Sequence, residues 1–126
     1  MENETELKKF RVLIVEPEKP PYVAEIENHL RSLQEMVGGN IQYVGLDRDT
    51  FFYCNEEGKL LEMEGNRSLG NDILVGNFFI AGYNDEGELI SLTEEQVEEY
   101  TQEFLTPESF TKEQIEEATG FISISF

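Results

Sequence analysis

The stretch from Asp85 to Glu117 holds twelve carboxylates against a single cation, Lys112. Ionised carboxylates stay in water unless they are paired, so this segment belongs on the surface, held to a core by a narrow apolar stripe. Two helices can be read in it. Thr93-Glu94-Glu95-Gln96 and Thr111-Lys112-Glu113-Gln114 both fit the capping box, and Leu92 with Val97 and Phe110 with Ile115 fit the hydrophobic staple. Val97, Tyr100 and Phe104 form the stripe of the first helix, and Gly120 is the expected stop of the second. Glutamates in a first turn favour the positive helix end, which accounts for Glu94, Glu95 and Glu113. It does not account for Glu98, Glu99, Glu103, Glu116 and Glu117. Glu94 with Glu98, Glu95 with Glu99, and Glu99 with Glu103 are like-charge pairs four residues apart, each costing a helix about 0.2–0.5 kcal/mol. Their retention marks these eight glutamates as a candidate protein-binding face.

The rest of the composition supplies the core. At 126 residues, with nine Phe and five Tyr, the chain is long enough for one domain and too aromatic for disorder. Its net charge of −18 repels nucleic acid and anionic membrane and draws basic surfaces. The single cysteine, Cys54, excludes an internal disulfide and a cysteine-built zinc site, and it fits a reducing compartment. The N-terminal MENETELKKF lacks the apolar segment of a signal peptide. No run approaches the roughly 20 apolar residues of a membrane helix. A soluble, cytoplasmic protein is expected.

Along the chain, residues 1–9 read as a frayed terminus and 10–126 as a single domain. Phe10 to Val15 is a buried strand ending before Glu16-Pro17. From Tyr22, apolar residues at Tyr22, Ile26, Leu30, Leu33 and Val37 predict one long amphipathic helix that stops at Gly38-Gly39. Ile41–Val44 and Thr50–Cys54 are strands. Asn55–Gly58 reads as a hairpin turn with Lys59–Met63 returning, Gly65–Asn71 as an irregular loop, and Ile73–Ala81 as one long strand with a bulge at Gly76. Asn84–Gly87 repeats the turn chemistry, and Glu88–Leu92 returns. The chain ends in an alternating strand, Phe121–Phe126, expected at a sheet edge or paired with a second copy in a homodimer. The expectation is an α+β domain: a mainly antiparallel sheet, one amphipathic helix after strand 1, and two acidic helices near the C-terminus.

Catalytic chemistry has little to stand on. His29 reads as a surface histidine and Cys54 as a buried inert thiol. No nucleophile motif, phosphate cradle or EF-hand spacing occurs, so no catalytic residue, metal ligand or cofactor is assigned. Asn66 and Arg67 stand out in the glycine-bounded loop. An ion pair with Glu62 or Glu64 would organise that loop. Alternatively, Arg67 would contact a small ligand or peptide in a pocket lined by aromatics such as Phe51, Tyr53 or Phe78.

Several stretches together resemble a known family. They include Val12-Leu13-Ile14-Val15-Glu16-Pro17, Pro21-Tyr22-Val23, Leu33-Gln34-Glu35-Met36-Val37-Gly38-Gly39, Cys54-Asn55-Glu56-Glu57-Gly58-Lys59, Asn66-Arg67, the run Ile73 to Ile80, and Ser91-Leu92-Thr93. In this order they resemble the domain of unknown function 3846 family over about Phe10 to Phe104, which leaves residues 105–126 as a C-terminal extension. The resemblance implies a setting, namely phages, plasmids and integrative elements of bacteria. It implies no activity and no site residues.

Charge and setting together suggest a non-enzymatic acidic inhibitor or adaptor of a mobile element. It would occupy the basic surface of a host protein that ordinarily binds nucleic acid, in the manner of a DNA mimic. The competing expectations are the ligand-binding module around Arg67, and an acidic domain whose charge serves solubility alone.

Overall fold

A computed structural model describes residues 9–118 and 124–125 of the chain. Its framework is an antiparallel sheet whose strands carry apolar residues on both faces. In β1 (Lys9–Val15), Leu13 and Val15 enter one core cluster while Val12 and Ile14 enter another on the opposite face. This is why the run is continuously apolar rather than alternating. The strand begins at Lys9, one residue inside the stretch expected to be frayed.

The predicted helix from Tyr22 is corrected by the structure. Tyr22–Glu27 is a strand, β2, antiparallel to β1 in unbroken register from Lys9↔Glu27 to Ile14↔Tyr22. Only Leu30–Val37 forms a helix, α1, closed by Gly38 at φ 81°. A spacing of four residues fits both a helix face and alternate positions of a strand, so Tyr22, Ile26 and Leu30 do not discriminate between them. The side chains do: Ala24 and Ile26 are half-buried while Val23 and Glu25 between them are exposed. The helix therefore follows strand 2, not strand 1.

β3 (Ile41–Asp47) and β4 (Thr50–Asn55) form a hairpin. Beyond it, Lys59–Met63 is a series of turns rather than a returning strand. The glycine-bounded segment is not an irregular loop either. Gly65–Leu69 is β5, paired with β6 (Asp72–Val75) in a separate two-stranded ribbon turned at Gly70, φ 60°. The long apolar run after it splits at Gly76, φ 71°. β6 stays in the ribbon while β7 (Phe78–Tyr83) crosses to the main sheet, between β1 and β4. β8 (Leu89–Ile90) pairs the far end of β7.

Both capping boxes form. Thr93 caps α2 (Glu94–Glu103), and Thr111 caps α3 (Lys112–Glu117). The latter ends at Ala118, ahead of Gly120, which lies outside the described residues. β9 (Ile124–Ser125) pairs antiparallel with β3 at the sheet edge. The rest of the predicted terminal strand, residues 121–123 and 126, lies outside the described residues.

The result is a single α+β domain, mainly antiparallel. Its main sheet runs β2-β1-β7-β4-β3-β9, with β8 attached to β7. α1 covers one face with Leu33 and Val37. α2, through Tyr100 and Phe104, and the ribbon, through Leu74, cover the other.

The corner at Gly76 is tight, because a Cβ there would meet the Met63 sulfur at 2.6 Å. Gly76→Ala is expected to lower the unfolding free energy by at least about 1–2 kcal/mol, from the left-handed backbone alone. Gly45→Ala, whose Cβ would meet only the Phe51 ring at 3.8 Å, should cost roughly 0.5 kcal/mol or less. Urea titrations of both variants check the contrast.

Candidate functional site

α2 folds because its ends and one stripe are satisfied. The Thr93 hydroxyl accepts from the Gln96 N–H while the Gln96 side chain accepts from the Thr93 N–H. Val97, Tyr100 and Phe104 enter the core with Leu92, and the buried Tyr100 hydroxyl shares a 2.7 Å hydrogen bond with Thr50. At about 100° per residue, Glu94, Glu98, Glu95, Glu99 and Glu103 sweep out the arc opposite this stripe. All five are exposed, and no basic residue lies in the helix's last turn. The repulsion expected four residues apart is visible at Glu103. Partial burial and the neighbouring Glu99 carboxylate both raise its pKa.

α3 carries Glu113, Glu116 and Glu117, all exposed, and it lies against the ribbon rather than beside the outer arc of α2. Phe110 and Ile115 press on Gly65, where a Cβ would meet the Phe110 ring at 2.7 Å. Glu116 lines a cavity of about 510 Å³ between α3 and the turns before β5, together with Met63, Phe110, Lys59 and Lys112. Lys112 itself lies 3.9 Å from Glu62. The eight predicted glutamates are thus all at the surface, five on one helix and three on a second packed elsewhere.

Asn66 and Arg67 have a different place. Both are fully buried. Arg67 donates from Nε to the Phe104 carbonyl (3.0 Å), from one terminal nitrogen to the Asn66 carbonyl (3.1 Å) and side-chain oxygen (2.8 Å), and from the other to the Lys19 carbonyl (2.6 Å). Asn66 donates in turn to the carbonyls of Val15 and Gly76. The expected ion pair with Glu62 or Glu64 is not what holds the guanidinium. Its partners are neutral oxygens, one of them at the C-terminal end of α2, where the helix dipole is negative. Burial lowers the Arg67 pKa, and the nearby Glu108, which accepts from the Ser68 N–H and hydroxyl, opposes that shift. The aromatics proposed to line a pocket beside Arg67 are also divided by the sheet. Phe51 and Tyr53 belong to the α1 face, whereas Phe78 packs edge-on against Phe104 on the α2 face. A ligand in solution reaches neither Asn66 nor Arg67 in this arrangement.

Cys54 is buried, and burial pushes its thiol up to about 12, with Asp72 adding to the shift. His29 is exposed at the N-cap of α1 and makes no side-chain cap. Among the described residues, no group of three or more His, Cys, Asp or Glu side chains is placed to hold a metal ion. No helix among the described residues is long and apolar enough to cross a membrane.

One surface exists only because residues 22–27 form a strand rather than the expected helix. Leu13 and Val23 are register partners and Leu13 belongs to the α2-side core, so Val23 and Glu25 stand on the face that carries α2. A shallow groove there, about 360 Å³, is lined by Arg11, Val23, Glu94, Val97 and Glu98. The alternation at residues 22–27 was the signal that could have revealed it.

Fold and surface together define a small acidic α+β domain with its carboxylates carried outward on capped helices. The chain belongs to the domain of unknown function 3846 family (DUF3846), whose model matches residues 10–105. The match takes in the sheet from β1 to β8, the ribbon and α2, and it ends before α3 and β9. No curated protein and no solved structure matches the chain significantly.

Arg67→Ala should destabilise the fold by roughly 2–5 kcal/mol, since it leaves a cavity and orphans the buried oxygens that the guanidinium satisfies. Arg67→Lys keeps the charge without the fork and should lose on the order of 1–3 kcal/mol. Chemical denaturation reads both. Glu103→Gln should stabilise by about 0.2–0.5 kcal/mol at neutral pH. Because the folded-state pKa is raised, the penalty removed is full above that pKa and absent below the unfolded value. The gain should therefore vanish as pH falls through the carboxylate range, a pattern visible in thermal melts.

Proposed function

We propose that this protein is a non-enzymatic interaction module of a bacterial mobile element, acting in the cytoplasm. It lays the outer arc of α2 on a basic protein surface that otherwise holds nucleic acid. The observation that carries this reading is the arc itself: five exposed glutamates on one ten-residue helix, with repulsion retained at Glu99 and Glu103. Helix capping explains only the first two. B-DNA presents one charge per about 1.7 Å of axis, and glutamates on successive helix turns approximate such a row. Glu113, Glu116 and Glu117 on α3 extend the negative field that steers a basic partner toward the domain. An encounter of this kind is fast and weakens with salt.

The test is a pull-down from bacterial lysate, using the native protein and a variant with Glu98, Glu99, Glu103, Glu116 and Glu117 changed to Gln. The expected outcome is a nucleic-acid-binding protein retained by the native bait, released by salt or by duplex DNA, and missed by the Gln bait. Identical capture by both baits, or release that DNA does not compete for, would assign the glutamates to solubility instead.

A further inference from the structure

We infer that the outer edge of β2 accepts an extended basic segment of a partner protein as an added strand, its Lys or Arg side chains standing between Glu25 and the Glu94–Glu98 flank of α2. This rests on the proposed binding of a basic partner and says where and how one segment of that partner sits.

β2 is the outermost strand on its side of the main sheet, and among the described residues no strand pairs with its outer side. Its inner side is bonded to β1 over six residue pairs without a register shift, unlike β3–β4 and β5–β6. In a regular strand, alternate N–H and C=O groups point away from the neighbour, so β2 presents a row of backbone donors and acceptors on its outer side, ending at Glu27, whose carbonyl accepts from the His29 N–H at 2.9 Å. Edges that proteins keep solitary carry charged side chains, above all lysine, or a proline, a bulge or a cover; the charges of β2 are Glu25 and Glu27 alone, which repel an acidic strand and admit a basic one. Residues 22–27 contain no lysine, proline or bulge, and Tyr22 and Val23 are 43% and 45% exposed.

Charge decides the occupant. Glu25 and Glu27 lie on β2, Glu94 and Glu98 flank the groove beside it, and Arg11 and Lys9 on β1 oppose them. Arg11 is partly spoken for, donating from Nε to the Leu92 carbonyl at 3.1 Å. A second copy would set Glu25 and Glu27 of both chains into one ribbon and bring two bodies of charge −18 together, which disfavours it. A strand with a cation at every second residue would place them about 7 Å apart on one face. Those cations would lie toward Val23, Glu25 and α2, while intervening apolar side chains would rest on the opposite face, near Ala24 and Ile26. Strand addition divides the work in this way: backbone bonds give affinity and alternate side chains give selectivity.

The experiment uses the full chain and a ten-residue peptide alternating Lys with Val, alongside the same peptide N-methylated at every backbone nitrogen. The fully methylated peptide keeps the charge and loses all backbone donors. Binding is followed by amide chemical shifts and by titration. The expected result has the amides of Tyr22–Glu27 among the most shifted, and methylation weakening binding at least about tenfold, as loss of several ordinary hydrogen bonds requires. Glu94→Gln with Glu98→Gln should weaken the unmethylated peptide severalfold and flatten its salt dependence. Equal binding of both peptides, with shifts confined to α2, overturns strand addition while leaving the acidic-face proposal standing. No peptide binding overturns it as well, even if the lysate partner is found. Concentration-dependent self-association that protects β2 and excludes the peptide overturns it in favour of a second copy.

Discussion

The architecture depends on one buried guanidinium. Among the described residues, Arg67 heads the fully buried side chains in size, and its fork ties the segment after β1, the ribbon and the end of α2 to one point. Asn66 extends the tie to Val15, where β1 ends, and to Gly76, the corner between the ribbon and β7. Val15 and Phe104 lie at the ends of β1 and α2, Gly76 at the corner before β7, Lys19 in the turn after β1 and Asn66 at the register shift of the ribbon. Buried oxygens of that kind need a donor, and side chains on two adjacent ribbon residues supply it. Without them the ribbon would rest on the core through Leu74 and Leu69 alone.

This arrangement also explains how so acidic a helix stays in place. α2 gains apolar burial from three residues and hydrogen bonding at both ends, from Thr93 and Gln96 at its start and from Arg67 at its finish. A cation at a helix C-terminus interacts favourably with the dipole, and here that cation is inside the protein. The exposed arc therefore needs no lysines of its own for the helix to hold. The surface is free to stay uniformly negative, and the same packing leaves Glu94 and Glu98 lining a groove with Val23 of β2.

Where local chemistry was unambiguous, it was legible in the residues. The two capping boxes, the apolar stripe Val97-Tyr100-Phe104, the turn at Asn84–Gly87, the strands Phe10–Val15, Ile41–Val44 and Thr50–Cys54, and the helix stop at Gly38 all appear in the structure as read. The misreadings share a cause. At Tyr22–Glu27, steps of four fit two periodicities, and only the pairing with β1 selects the strand. At Gly65–Leu69 polar residues concealed a strand, because Asn66 and Arg67 turn inward to bond carbonyls distant in sequence. At Gly76 a single left-handed residue sends one apolar run into two sheets, and the same letters would have served a bulge.

By itself the sequence determined what is settled within a few residues: where helices begin, which side chains must meet water, and that an acidic surface would result. It determined the α+β class and the family. Tertiary structure decided everything that turns on partners far along the chain. It made Arg67 an internal fastener rather than a ligand contact, put α2 and α3 on separate supports, and set an open strand edge beside the glutamates. The physical reason is range. Caps and helical stripes are satisfied by neighbours three or four residues away, whereas a strand edge and a buried guanidinium take their meaning from groups tens of residues distant.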